Sequence, residues 1–242
     1  MNKDAKDYLI VALDVPTLKE AEDIVDELGD LVGYYKVGLK LFLRFGPNAI
    51  EILKNKGKKV FLDLKLHDIP STVAGAVDAA VDMNLDMLTV HALGGFEMME
   101  TAQKIIWEKK AGKPLILGVT ILTSLDEAFL QDFLGVDKPM EKQILDLAVL
   151  AKSAGLRGVV ASPKEVSHIK KQCGKDFIVV TPGIRPKGAK KDDQKRVLPP
   201  DMAIIRGADF IVVGRTIINA PDRGKATLSI IEDIGDGLHK VT

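Results

Sequence analysis

The run Asp63-Leu64-Lys65-Leu66-His67-Asp68-Ile69-Pro70-Ser71-Thr72 follows directly on the apolar stretch Lys59-Val60-Phe61-Leu62, so charges of both signs stand where a buried strand is expected to end. Side chains two apart along a strand share a face. That puts Asp63 and Lys65 side by side, with Asp68 available from the turn beyond. Unpaired charges in such a place are costly, so the carboxylates and the ammonium are expected to hold one another ionised. Two readings fit. One is a structural ion pair, with Asp68 capping a helix that starts near Pro70. The other is a lysine kept charged between carboxylates so that it can act on a bound molecule.

The elements that must position these groups alternate in type along the whole chain. Short β-branched runs at 8–13, 34–37, 59–62, 87–90, 115–119, 158–161, 177–180 and 210–213 predict strands. Amphipathic patterns at 18–28, 47–56, 72–83, 95–109, 140–154, 163–173, 200–206 and 227–234 predict helices. Strands alternating with helices imply parallel pairing through right-handed crossovers. Eight such units in 242 residues predict an α/β fold of the (β/α)8 TIM-barrel type, one domain over 1–242. An open doubly wound sheet is disfavoured, because the turn Asp14-Val15-Pro16-Thr17 after the first strand carries no dinucleotide-binding glycines.

In such a barrel the chemistry belongs at the C-terminal ends of the strands. Those positions are polar here: Asp14, Lys36, Asp63 with Lys65, His91, Thr120 and Thr123, Ser162, Arg185, and Gly214-Arg215. Individually they have plainer explanations. Asp14 or Ser162 can cap the next helix, and His91 can be a hydrogen-bonded core histidine. Convergence of both charge signs on one rim is harder to explain structurally. After the last strand, Gly214 lets backbone approach an anion and Arg215 can chelate phosphate oxygens. The polar loop at about 183–196, rich in lysine and holding Gly183 and Gly188, is expected to be a lid closing over an anionic ligand, although its lysines are also compatible with a solvated surface.

Composition narrows the classes. The 34 basic and 34 acidic residues balance, so no charge excess points to nucleic acid or an anionic membrane. No apolar run approaches the roughly 18 residues of a membrane span. The polar start has no signal-peptide core, and one cysteine, Cys173, permits neither an internal disulfide nor a cysteine-rich metal site. A cytoplasmic protein is expected, with Cys173 a buried apolar residue on a helix.

The ten-residue run 63–72 with Lys36 upstream, the tripeptide Leu122-Thr123-Ser124, the loop ends Pro182-Gly183-Ile184-Arg185-Pro186 and Asp193-Gln194-Lys195-Arg196, and the closing Val212-Val213-Gly214-Arg215 together resemble the orotidine 5′-monophosphate decarboxylase family over almost the whole chain. The resemblance implies conversion of orotidine 5′-monophosphate to uridine 5′-monophosphate and CO2, the last step of de novo UMP synthesis. It also implies a homodimer with shared active sites and no metal or organic cofactor. By this resemblance Lys36, Asp63, Lys65 and Asp68 form an alternating charge array, with Asp68 and Thr72 reaching the neighbouring subunit's site. Lys65 would donate the proton. Asp14 and Lys36 would hold ribose hydroxyls, Thr123 would contact the pyrimidine, and Thr120 competes with it for that place. Arg185, Gln194, Gly214 and Arg215 would bind the phosphate, Gln194 being delivered by the lid.

The chemistry is consistent with these residues. Loss of CO2 from C6 of the pyrimidine leaves a carbanion in the ring plane that the ring cannot delocalise. Many decarboxylases use an electron sink or a metal, but the four histidines of this chain are scattered and form no zinc-type motif. An ammonium fixed by carboxylates and shielded from water can stabilise the carbanion and then protonate it. Two other readings stay open. A Mg²⁺-dependent sugar-phosphate decarboxylase or synthase of the same barrel class would need a further acidic ligand at a strand end, where the fourth strand closes with Thr89-Val90-His91. A non-catalytic nucleotide-phosphate-binding protein would have no need of alternating buried charges.

Overall fold

A computed structural model of the chain describes residues 4–186 and 196–241. The segment 187–195, which holds Gln194 and most of the expected lid, lies outside the described residues. The strands are β1 (Leu9–Ala12), β2 (Tyr34–Gly38), β3 (Lys59–Leu66), β4 (Met87–His91), β5 (Leu115–Val119), β6 (Gly158–Val160), β7 (Ile178–Thr181) and β8 (Phe210–Val213). Each pairs in parallel with the next, and β1 pairs with β8, closing the barrel. The intervening helices are α1 (Leu18–Leu28), α2 (Leu39–Phe45), α3 (Asn48–Asn55), α4 (Pro70–Asp82), α5 (Gly95–Glu108), α6 (Met140–Ser153), α7 (Val166–Cys173), α8 (Pro200–Ile205), α9 (Arg215–Ile218) and α10 (Arg223–His239). The (β/α)8 expectation holds.

Two apolar layers follow from the strand period. Leu9, Val11, Tyr35, Val37, Val60 and Leu62 face outward into the layer shared with the helices. Ile10, Ala12, Phe61, Met87, Leu117, Val180 and Val212 face inward and fill the barrel. Continuing that inward series by two residues leads from Tyr34 to Lys36, from Phe61 to Asp63 and from Met87 to Thr89. The polar groups are thus the top layer of a stack whose lower layers are apolar.

Helix ends have local causes. Thr17, in extended backbone, accepts at Oγ1 from the Glu20 N–H at 3.2 Å and starts α1. Its buried face is Ala21, Ile24, Val25 and Leu28, and Gly29, with φ of 47°, ends it. Pro70 occupies the first position of α4. At the barrel's other end, Asp86 just before β4 accepts from the Val60 N–H of β3 at 2.9 Å and pairs with Lys54 and Lys113. Asp209 before β8 does the same for Val179 of β7, at 2.7 Å, with Lys170 as its ion-pair partner.

Four expectations need correction. Strand β3 continues to Leu66 instead of stopping at 62, so Asp63 and Lys65 belong to it. Helices α2 and α9 were not anticipated, nor were the short helical turns Ala5–Tyr8, Gly29–Leu31, Ala92–Gly94 and Phe129–Phe133. Helix α10 spans Arg223–His239, well beyond 227–234. Asp14 and Asp68 are not helix caps: Thr17 caps α1, while Asp68 Oδ1 accepts from the adjacent Ile69 N–H at 2.7 Å.

Candidate active site

At the C-terminal mouth of the barrel a cavity of about 360 Å³ opens above the inward apolar layer. Ala12, Phe61, Val160 and Val212 form its floor, and its wall includes Asp14, Lys36, Asp63, Lys65, Thr123, Ser124, Ser162, Arg185, Gly214 and Arg215. The volume is within the range of small-molecule sites. Seven of the eight strand ends therefore contribute to one space, cationic at the β7–β8 side and mixed in charge at the β1–β3 side.

The mixed side is an ordered chain of charges. Lys36 Nζ lies 3.6 Å from Asp14 Oδ1 and 3.5 Å from Asp63 Oδ2, and Lys65 Nζ lies 2.8 Å from Asp63 Oδ1. The side chains of Lys36 and Asp63 are only 12% and 13% exposed, so neither charge can rely on water. The buried pair Lys36 and Asp63 is offset by more exposed partners on either side, Asp14 and Lys65, so neither buried charge is left uncompensated. Burial by itself raises the Asp63 carboxyl, but the Lys36 and Lys65 charges and hydrogen bonds from Lys65 and Thr89 outweigh it and hold it below the ordinary carboxylate value. A Cβ on Gly38 would stand 2.9 Å from Lys36 Nζ and 3.1 Å from Asp14 Oδ1, so glycine there keeps room for the pair. Lys36 fills the space between the two carboxylates that a bound cation would otherwise take. Among the described residues no group of three or more His, Cys, Asp or Glu is placed to hold a metal ion.

Lys65 departs from strand geometry. Its φ of 54° is in the left-handed region, which costs a residue with a Cβ about 1–3 kcal/mol. Leu62 pairs with Leu88 and Leu66 with Val90, so Asp63, Leu64 and Lys65 all stand opposite Thr89. This bulge turns the lysine toward its carboxylate partner.

At the opposite wall, Arg185 is 9% exposed, and its Nη1 donates to the Ile184 carbonyl at 2.8 Å. Its backbone N–H bonds to the Leu198 carbonyl at 3.0 Å and the Leu198 N–H to the Gly183 carbonyl at 3.2 Å, joining the chain on either side of the segment 187–195. Thr123 lines the cavity, whereas Thr120 is fully buried and donates to the Val160 carbonyl at 3.1 Å. Ser162 is fully buried on the cavity wall and accepts from the Lys164 N–H at 3.3 Å. His91 does not line the cavity. It stacks on His67 with centroids 5.3 Å apart and accepts at Nδ1 from the Leu93 N–H. Burial, then the His67 and Lys65 charges, push its pKa down to about 4, so the ring is neutral at pH 7.

Asp68 and Thr72 are exposed and contribute nothing to the wall of their own chain's cavity. Two residues beside the site carried no role in the sequence reading. Thr89, fully buried, bonds to both Asp63 and Lys65. Inward alternation from Met87 was the signal available for it. Arg196 donates from Nη2 to the Ile121 and Leu122 carbonyls at 3.0 and 3.2 Å and from Nη1 to Glu165 at 3.3 Å, fixing the backbone that leads into Thr123. Among so many basic loop residues nothing local distinguishes it.

Comparison with known proteins bears on this geometry. The family model described as "Orotidine 5'-phosphate decarboxylase / HUMPS family" matches residues 7–230. The orotidine 5′-phosphate decarboxylase of Carboxydothermus hydrogenoformans is 50% identical over 234 residues, 96% of this chain and 97% of its own. That of Moorella thermoacetica is 47% identical over 234 residues, 95% of this chain and 93% of its own. The crystal structure of orotidine 5′-phosphate decarboxylase from Lactobacillus acidophilus matches with a TM-score of 0.82 at 39% identity, covering 93% of this chain and 98% of that one.

Proposed function

The chain belongs to the orotidine 5′-phosphate decarboxylase / HUMPS family, and from that premise we propose that it converts orotidine 5′-monophosphate to uridine 5′-monophosphate and CO2, the last step of UMP synthesis. The observation that carries the reading is the placement of Lys65. Its ammonium, 2.8 Å from Asp63, shares one cavity with Arg185, Gly214 and Arg215 on the opposite wall. A nucleotide can then span the mouth with its phosphate at the arginines and its base beside the lysine.

The step is heterolytic. The bond from C6 to the carboxylate breaks, CO2 departs, and the electron pair stays on C6. Lys65 stabilises that charge and delivers its proton to C6, then regains one from solvent. Asp63 keeps the ammonium in place, and Lys36 keeps Asp63 ionised. Asp14 and Lys36 hold ribose hydroxyls, Thr123 meets the pyrimidine, and Arg185, Gly214 and Arg215 grip the phosphate, joined by Gln194 from the loop. No metal or organic cofactor takes part, because the charge that stabilises the carbanion comes from the lysine.

The site is shared between two copies of the chain. Asp68 and Thr72 lie outside their own cavity, and Leu39, Leu43, Ile69, Leu93 and Phe96 are exposed on the successive connections after β2, β3 and β4. A second copy seated on that apolar rim brings Asp68 and Thr72 to its neighbour. The free, buried thiol of Cys173 suits a cytoplasmic enzyme. The test is the ultraviolet assay for loss of orotidine monophosphate in chelator-treated buffer. Turnover is expected there. Failure of turnover, tight uridine monophosphate binding without CO2 release, or activity that depends on added Mg²⁺ would overturn the reading.

A further inference from the structure

We infer that Thr89 is a positioning residue for the reacting lysine, acting through its hydroxyl as the pin that holds the β3 bulge in its working shape. The inference rests on the proposed role of Lys65. A regular ladder between β3 and β4 is interrupted between the pairs Leu62–Leu88 and Leu66–Val90, leaving Asp63, Leu64 and Lys65 opposite Thr89. In that stretch the Lys65 N–H bonds to the Thr89 hydroxyl oxygen, at 2.8 Å. The same hydroxyl donates its hydrogen to Asp63 Oδ1 at 3.0 Å, the oxygen that Lys65 Nζ contacts at 2.8 Å.

One buried hydroxyl therefore closes a ring: Lys65 backbone, Thr89 oxygen, Asp63 carboxylate, Lys65 ammonium. Its polarity is fixed, since the hydroxyl has a single hydrogen and Asp63 receives it while the oxygen receives the amide. The left-handed backbone of Lys65, φ 54°, persists only where its surroundings over-determine it. Thr89 is fully buried, so water cannot replace the hydroxyl. Removing it frees both the start and the end of the lysine side chain, and a small misplacement of a reacting group is enough to cost about 10²-fold in rate. Thr89 lies off the cavity wall, so the loss falls on turnover and not on substrate affinity.

The experiment compares kcat and KM for orotidine monophosphate in the wild type, Thr89→Val and Thr89→Ser. Valine keeps the branching and size without the hydroxyl; serine keeps the hydroxyl. The expected result is a kcat at least ~10-fold lower in Thr89→Val with KM changed less than about threefold, and kcat within about threefold of wild type in Thr89→Ser. The acid limb of kcat should also move to higher pH in Thr89→Val, as Asp63 loses a hydrogen bond to its ionised form. If valine prevents folding, Thr89→Cys, whose thiol bonds weakly, stands in under the same criterion. A valine or cysteine variant within twofold of wild type, or a serine variant as slow as valine, overturns the inference while wild-type turnover leaves the proposed reaction standing. Absence of wild-type turnover would remove both.

Discussion

At the residue scale the site is an alternation of charge in which Lys36 and Lys65 flank Asp63 and hold its carboxyl below the ordinary value. Lys65 is the member with most to lose. Lys65→Ala should reduce decarboxylation by at least ~10²-fold while leaving nucleotide binding through the phosphate largely intact, measured by steady-state turnover beside uridine monophosphate titration. A variant retaining more than a few per cent of activity would remove Lys65 as proton donor. The positions of Asp14, Lys36 and Asp63 were legible because a two-residue period carries each apolar inward series upward into them; the same count put Lys65 beside Asp63, although it is the bulge that turns it there. Thr89 lay on the same inward series from Met87, but its role was not legible, since a threonine inside a strand is what β propensity alone would put there, and only the bulge gives its hydroxyl two partners. Nor could periodicity decide between Thr120 and Thr123. The first turns its hydroxyl to the Val160 carbonyl, a choice made by the neighbouring strand.

At the element scale, each strand carries a functional end and a structural end. The structural end shows at Asp86, which gives the Val60 N–H its acceptor and pairs with Lys54 and Lys113. Burial alone would raise its carboxyl, but hydrogen bonds from Lys113, Lys54 and the Val60 N–H hold it below the ordinary value. A depressed folded pKa contributes stability above the unfolded value, near 3.9, that is lost as pH falls through the folded one. Asp86→Ala should therefore cost about 2–4 kcal/mol by denaturant unfolding at pH 7, flatten the acid slope, and leave kcat near wild type. The functional end is tested at β8. Arg215→Ala should lower kcat/KM strongly for the phosphorylated substrate and hardly affect orotidine without its phosphate; equal losses would contradict a phosphate grip. Strand and helix order could be read from period, and α1 and β5 even to their ends. Helix α2 was missed because Leu39–Phe45 is short, uncapped by any side chain and mostly apolar, so nothing local separates it from the strand before it. The end of β3 was misplaced for the opposite reason. Charge marks a strand end only when solvent meets it, and here the charges meet one another inside the barrel mouth.

At the scale of the whole molecule, one chain makes a complete barrel and a cavity without Asp68. That residue sits on the exposed turn between β3 and α4, next to Ile69, which is 64% exposed. An apolar side chain so exposed, with Leu43 at 78% on the neighbouring connection, gains by being covered, and the proposed dimer would cover it with a second copy whose cavity receives Asp68. Subunit mixing tests this directly. Lys65→Ala dimers and Asp68→Ala dimers should each be inactive, since every site in either contains a lesion. In a mixed dimer with two-fold symmetry, one site collects both lesions, the lysine lost from the first chain and the aspartate lost from the second, while the other site receives Lys65 and Asp68 intact. Random exchange makes half of the dimers mixed, and half of their sites are whole, so activity should return to roughly a quarter of wild type. Native mass spectrometry of the mixture establishes that exchange has taken place. If mixed dimers are present and the mixture stays inactive, Asp68 serves its own chain, and the apolar rim would join two copies without joining their chemistry.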